Sequence, residues 1–176
     1  LAQLNSQDIK NVEIITNQEG TAFISAIEDR RNYIIRKSPN LSKQSHILAA
    51  NVDQVVIVTA TEPGFSGDLV ARILLALEAQ DVEALIVLNK CDLAAGLPAA
   101  RAQLAEFAAM GYRVLELSAR GDPAPLAELL KGRLSVLIGQ SGMGKSTLVN
   151  ALIPGAAAAT REISAALDSG KHTTTF

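Results

Sequence analysis

The sequence predicts an α/β fold built on a mostly parallel sheet, with a short β-rich segment in front of it. Three observations carry this. After residue 50, continuous apolar runs alternate with amphipathic ones, the rhythm of β-α-β units. A glycine-rich loop, residues 139–146 (GQSGMGKS), stands between an apolar run and a helical pattern. The composition also breaks near residue 50: residues 1–48 hold three alanines, Ala2, Ala22 and Ala26, whereas the rest is rich in Ala and Leu. The reading is a β segment with its linker over 1–48 and an α/β domain over 49–176.

Each element has its own reason. Residues 12–16, 21–27 and 32–36 are short β-branched and aromatic runs, with a turn signal at 17–20 (NQEG) between the first two. Three such strands make a poor independent domain and suggest part of a small β-barrel. Residues 38–42 (SPNLS) read as a linker. Residues 54–60 (QVVIVTA) are continuously apolar, as a sheet covered on both faces requires. Residues 67–79 have helical spacing, with Leu69, Ile73, Leu74 and Leu77 on one face. A strand follows at 84–88, then a helix at 98–110 with Pro98 in its first turn. A strand at 112–117 and a short helix at 125–130 come next. A strand at 134–138 feeds the glycine-rich loop, and a helix at 145–152 lies behind it, stopped by Pro154. Residues 156–167 are Ala-rich with few turn signals.

Bulk properties exclude several classes. A chain of 176 residues suits one nucleotide-binding domain and little more. A net charge of −2 gives no global attraction to nucleic acid. The single cysteine, Cys91, allows no internal disulfide and fits a reducing compartment. No apolar run approaches the ~20 residues of a membrane span, and the N-terminus lacks the plan of a signal peptide. The expectation is a cytoplasmic monomer that does not use the membrane. One Cys and two His support no zinc site within the chain.

The chemistry lies in four motifs. In the loop of Gly139, Gln140, Ser141, Gly142, Met143, Gly144, Lys145 and Ser146, glycines let backbone N–H groups wrap phosphates. Lys145 would reach the β- and γ-phosphates and Ser146 would bind Mg²⁺, with Thr147 beside it at the positive end of a helix. By itself this loop says nucleotide and not which base. Asn89-Lys90-Cys91-Asp92 supplies the base. The Asp92 carboxylate can accept from guanine N1–H and the exocyclic amine, Asn89 can brace the loop and approach the base oxygen, and the Lys90 stem can lie across the base. Four residues also describe a polar turn after a strand. Ser118-Ala119 holds the same kind of place one strand later, where a backbone N–H could bond the guanine oxygen; it also reads as an ordinary strand end. Last come Lys171 to Thr175 (KHTTT). Thr173 and Thr174 are candidates to complete Mg²⁺ coordination, and His172 could orient the attacking water. A polar segment leading into a strand is the competing reading.

The order N-K-x-D, S-A, G-x-x-x-x-G-K-S, H-T-T-T resembles the circularly permuted GTPases, and most closely the RsgA (YjeQ) family of small-subunit ribosome biogenesis GTPases. Matching stretches are residues 49–54 (AANVDQ), 87–92 (VLNKCD), 139–148 (GQSGMGKSTL) and 171–175 (KHTTT). The resemblance implies a P-loop GTPase domain in permuted order (G4-G5-G1-G2), preceded by a partial OB-like β-barrel. It implies binding and hydrolysis of GTP with Mg²⁺, a role in late maturation of the 30S subunit, contact with 16S rRNA, and His172 as the catalytic residue. Arg30, Arg31, Arg36, Lys37 and Lys43 could meet rRNA phosphates, or form a solvated mixed-charge face with Glu28 and Asp29. The D-x-x-G motif and the zinc ligands expected for the family do not occur before Phe176. The expectation is therefore a truncated chain with weak turnover of its own. Competing readings are a nucleotide-gated rRNA-binding module, another permuted P-loop GTPase, and a P-loop ATPase or small-molecule kinase.

Overall fold

Residues 54–60 become the central strand of a parallel sheet, and everything that positions the motifs is arranged around it. The computed structural model describes residues 12–16, 22–27, 29–37 and 45–153. The turn read at 17–20, the linker at 38–42, Lys43, Glu28, Pro154, the Ala-rich run at 156–167 and the whole segment holding His172, Thr173 and Thr174 lie outside them.

The chain divides into two units, residues 1–52 and 53–176. In the first, β1 (Val12–Thr16) pairs antiparallel with β2 (Ala22–Ile27), and β3 (Tyr33–Lys37) with β4 (Ser45–Ala50). Each pair carries an irregularity in register, between Glu13 and Ile14 in β1 and between Ile34 and Ile35 in β3. Among the described residues the strands form two separate ribbons. β4 is a strand that the sequence reading missed. Its run SHILAA lacks clean alternation, and pairing with β3 decides its conformation. It crosses residue 48, where the composition had suggested the boundary. Buried Asn32 ties the end of this unit together: its Nδ2 donates to the Val52 carbonyl at 2.9 Å and its Oδ1 accepts from the Val52 N–H at 2.8 Å.

The second unit is a sheet of β5 (Gln54–Ala60), β6 (Glu83–Asn89), β7 (Arg113–Glu116) and β8 (Ser135–Ile138) in the order β7-β6-β5-β8, with every pairing parallel. The last strand in sequence therefore joins the first. β5 is buried along its full length, which explains its unbroken apolar run. β8 is half-buried and lies at the edge of the described sheet.

The helices are α1 (Gly67–Glu78), α2 (Leu97–Ala109), α3 (Ala124–Leu130) and α4 (Lys145–Leu152). Side chains alternate across β5. Val56, Val58 and Ala60 join Leu85, Val87, Leu126 of α3, Met143 and Leu148 of α4 in one core. Ile57 and Thr59 face α1 and line a crevice with Leu69, Val70 and Ile73. The buried face of α1 is Val70, Leu74 and Leu77, so Leu69, assigned to it by spacing, is rotated toward solvent at 37% exposure. Ser66 caps α1, its hydroxyl accepting from the Leu69 N–H at 3.3 Å. Pro98 stands in the first turn of α2, where its missing N–H costs no hydrogen bond.

Because Leu126 is fully buried in the core beneath the phosphate loop, Leu126→Ala should lower unfolding free energy by about 2–5 kcal/mol in urea denaturation. Leu75→Ala, at a site 71% exposed, should change it by less than about 0.5 kcal/mol.

Candidate nucleotide site

Parallel strands deliver their following loops to one edge of the sheet, where ligands bind in α/β folds. The first residues after β5, β6, β7 and β8 at that edge are Thr61, Lys90, Leu117 and Gly139 respectively. The three sequence motifs on described residues therefore meet, although β6 and β8 are separated by β5.

A single side chain joins them. Asn89 is 1% exposed. Its Nδ2 donates to the Met143 carbonyl in the phosphate loop at 2.9 Å, and its Oδ1 accepts the Ala119 N–H at 2.9 Å. The Ala119 N–H, a candidate donor to the base oxygen from sequence, is thus engaged by Asn89. Two backbone bonds reinforce the joint: Leu117 N–H to the Leu88 carbonyl at 3.0 Å and Cys91 N–H to the Leu117 carbonyl at 3.2 Å. Cys91 is half-buried and its thiol points at the Leu88 carbonyl at 3.2 Å.

The phosphate loop has the shape its glycines permit. Gly139 has φ +151° and a Cβ there would strike the Val58 carbonyl; Gly144 has φ +89° and a Cβ would strike Asn89 Nδ2. Neither position tolerates a side chain. Met143 is 1% exposed and anchors the loop in the core. Lys145 is half-buried, and its Nζ donates to the Gly139 carbonyl at 2.8 Å and the Gln140 carbonyl at 2.7 Å. Burial pushes its pKa down from the ordinary lysine value. Ser146 and Thr147 are exposed in the first turn of α4, which has no side-chain cap. Its first N–H groups therefore have no capping side chain, the arrangement that suits an anion. Ser141 and Gly142 are exposed on the rim.

Asp92 is exposed, and a hydrogen bond from Ser118 holds its carboxyl below the ordinary aspartate pKa. The second base-side motif therefore steadies the first. Sequence reasoning missed the segment after β5. Thr61 Oγ1 donates to the Lys90 carbonyl at 2.9 Å, Lys90 Nζ donates to the Glu62 carbonyl at 2.6 Å, and the Ser66 N–H donates to Gln140 Oε1 at 2.9 Å. The available signal was its place at the C-terminal end of a parallel strand. A cleft of about 130 Å³ lies at the other end of the sheet, lined by Gln54, Glu83, Arg113 and Arg133 among others. It gathers none of the motifs, and its Arg133 is paired with Glu83. No group of three or more His, Cys, Asp or Glu that could hold a metal ion occurs among the described residues, and none of their helices is long and apolar enough to cross a membrane.

The sequence matches the family model for RsgA GTPase over residues 27–176. The chain belongs to the RsgA GTPase family. The small ribosomal subunit biogenesis GTPase RsgA of Burkholderia pseudomallei is 56% identical over 157 residues, covering 87% of this chain and 49% of that protein. The RsgA of Ralstonia nicotianae is 57% identical over 154 residues, covering 85% of this chain and 48% of that protein. The chain thus spans about half the length of the curated RsgA relatives it matches. The crystal structure of YjeQ from Thermotoga maritima superposes with a TM-score of 0.66 at 32% identity, covering 82% of this chain and 50% of that one. The RsgA match reaches through the loops joined by Asn89.

The depressed pKa of Asp92 fixes a sign. The fold favours the ionised carboxylate, so its contacts are complete above the unfolded-state pKa and are lost only as pH falls through the lower folded value. In a carboxyl ¹³C titration, Asp92 should have a midpoint below that of an ordinary aspartate, and Ser118→Ala should raise it. An unmoved midpoint in that variant would show that Ser118 is not the cause.

Proposed function

We propose that this chain is the guanine-nucleotide-binding portion of a GTPase that acts in maturation of the small ribosomal subunit. The observation that carries the reading is the buried Asn89, which bonds the phosphate loop and the Ser118-Ala119 loop with its two amide atoms. A base reader and a phosphate cradle held as one unit fit an intact nucleoside di- or triphosphate.

Each residue then has a task. Asp92 accepts from the two donors on the guanine edge, a pattern adenine does not offer. The Lys90 stem covers the base. The N–H groups of Gly139 to Gly144 and the start of α4 surround the phosphates. Lys145, whose pKa burial lowers and a bound anion would raise again, offsets the β- and γ-phosphate charge. The exposed Ser146 hydroxyl is the hard oxygen donor that Mg²⁺ takes, and Thr147 flanks it. Mg²⁺ bound there supplies neutralisation of charge at the phosphate oxygens. His172 orients the attacking water, and Thr173 or Thr174 completes the cation's coordination. The two β ribbons belong to an OB-like barrel. With Arg30, Arg31, Arg36, Lys37 and Lys43 they face 16S rRNA on the 30S subunit, in the cytoplasm. The names of the RsgA relatives support the ribosomal assignment.

The test is a titration of the full chain with GTP, GDP and ATP, with and without 30S subunits, reading binding and phosphate release. Guanine nucleotides should bind in preference to ATP, and subunits should stimulate release. Asp92→Asn should weaken GDP about 100-fold, the loss of two charge-assisted hydrogen bonds, with ATP affinity unchanged. Equal affinity for GDP and ATP in the unsubstituted chain would favour a P-loop ATPase or kinase.

A further inference from the structure

The residue that leaves β5 sits between the base-reading loop on β6 and the phosphate loop on β8. Thr61 is polar and 5% exposed. Its N–H donates to the Asn89 carbonyl at 3.3 Å and its Oγ1 to the Lys90 carbonyl at 2.9 Å. Its own carbonyl is pressed against Gly96, where a Cβ would come within 2.6 Å. The next residue, Glu62, receives Lys90 Nζ on its carbonyl at 2.6 Å. Lys90 is thus held at both ends by one dipeptide.

That grip meets a strained residue. Lys90 has φ +62°, a left-handed conformation that is strained for a non-glycine residue. Such a conformation persists when neighbouring bonds over-determine it. Its effect here is directional. Lys90 separates Asn89, turned inward to Met143 and Ala119, from Asp92, which is exposed beside Ser118. A relaxed Lys90 would swing Asp92 away from the edge it must read.

We infer that Thr61 is a positioning residue for base recognition: its hydroxyl fixes the left-handed Lys90, and through Lys90 the aim of the Asp92 carboxylate. The inference rests on the guanine-binding reading above. Among the described residues no hydrogen bond joins Thr61 directly to the phosphate loop, and its hydroxyl acts on the base-reading loop. Valine at this position keeps the shape and removes the donor, leaving the part-buried Lys90 carbonyl with the Leu93 N–H at 2.9 Å but without the hydroxyl. Serine keeps the donor.

The experiment measures affinities of the full chain for GDP, IDP and ADP, with thermal unfolding of each variant. IDP lacks the exocyclic amine that Asp92 reads. Thr61→Val should weaken GDP about fivefold, the scale of one hydrogen bond, and shrink the GDP-to-IDP ratio toward one. Thr61→Ser should restore both. An unchanged GDP-to-IDP ratio in Thr61→Val overturns the inference, even if both nucleotides weaken together, because that pattern marks general support of the fold. Should Thr61→Val not fold, Thr61→Ala is read by the same ratio. If the unsubstituted chain does not prefer GDP to ADP, the guanine reading itself has failed, a result distinct from a Thr61 effect that is merely absent.

Discussion

The candidate nucleotide site depends on two hydrogen bonds from one buried amide. Asn89 donates to Met143 and accepts from Ala119, so three loops from three strands are fixed to one another. Burial gives these bonds their value: water cannot replace either partner, and an unmade bond would strand a polar group in the core. The constraint spreads outward. Gly144 must lack a side chain because Asn89 Nδ2 lies against it, and Met143 is buried because its carbonyl must reach Asn89. A substitution at Asn89 would therefore disturb base and phosphate recognition together.

This arrangement also explains why the motif order along the chain matters little. β8 comes last and pairs with β5, which comes first in the sheet. A parallel sheet delivers the loops that follow its strands to one edge whatever their sequence order. The base reader can precede the phosphate cradle in the chain and still face it in space. The strands are packed on both faces. One face sets Val56 and Val58 in a core with α3 and α4, and on the other Ile57 and Thr59 line a crevice with α1.

Much of the α/β unit was legible because its signals are local. The apolar run of β5, Pro98 at the start of α2 and the glycines of the phosphate loop each have a cause within a few residues. The errors share a different cause. β4 was missed because its SHILAA run becomes a strand only by pairing with β3. Leu69 was placed on the buried face of α1 by spacing, but the rotation of that helix is set by what it packs on. The lysine of N-K-x-D was legible only as a candidate base contact, and its left-handed backbone and its tether to Glu62 were not legible.

By itself the sequence determined the motifs and, with them, the family. The glycines followed by Lys145 and Ser146, and the Asp92 carboxylate after Asn89, are matters of residue identity, and the proposed phosphate wrapping and guanine reading start from them. Only the tertiary structure decided how those groups are held. It assigned Asn89 to joining loops, engaged the Ala119 N–H, gave Ser118 to Asp92 and brought Thr61 beneath Lys90. The physical reason is range. Motifs are written in contiguous residues, whereas the bonds that aim them run between strands far apart in the chain and adjacent only in the sheet.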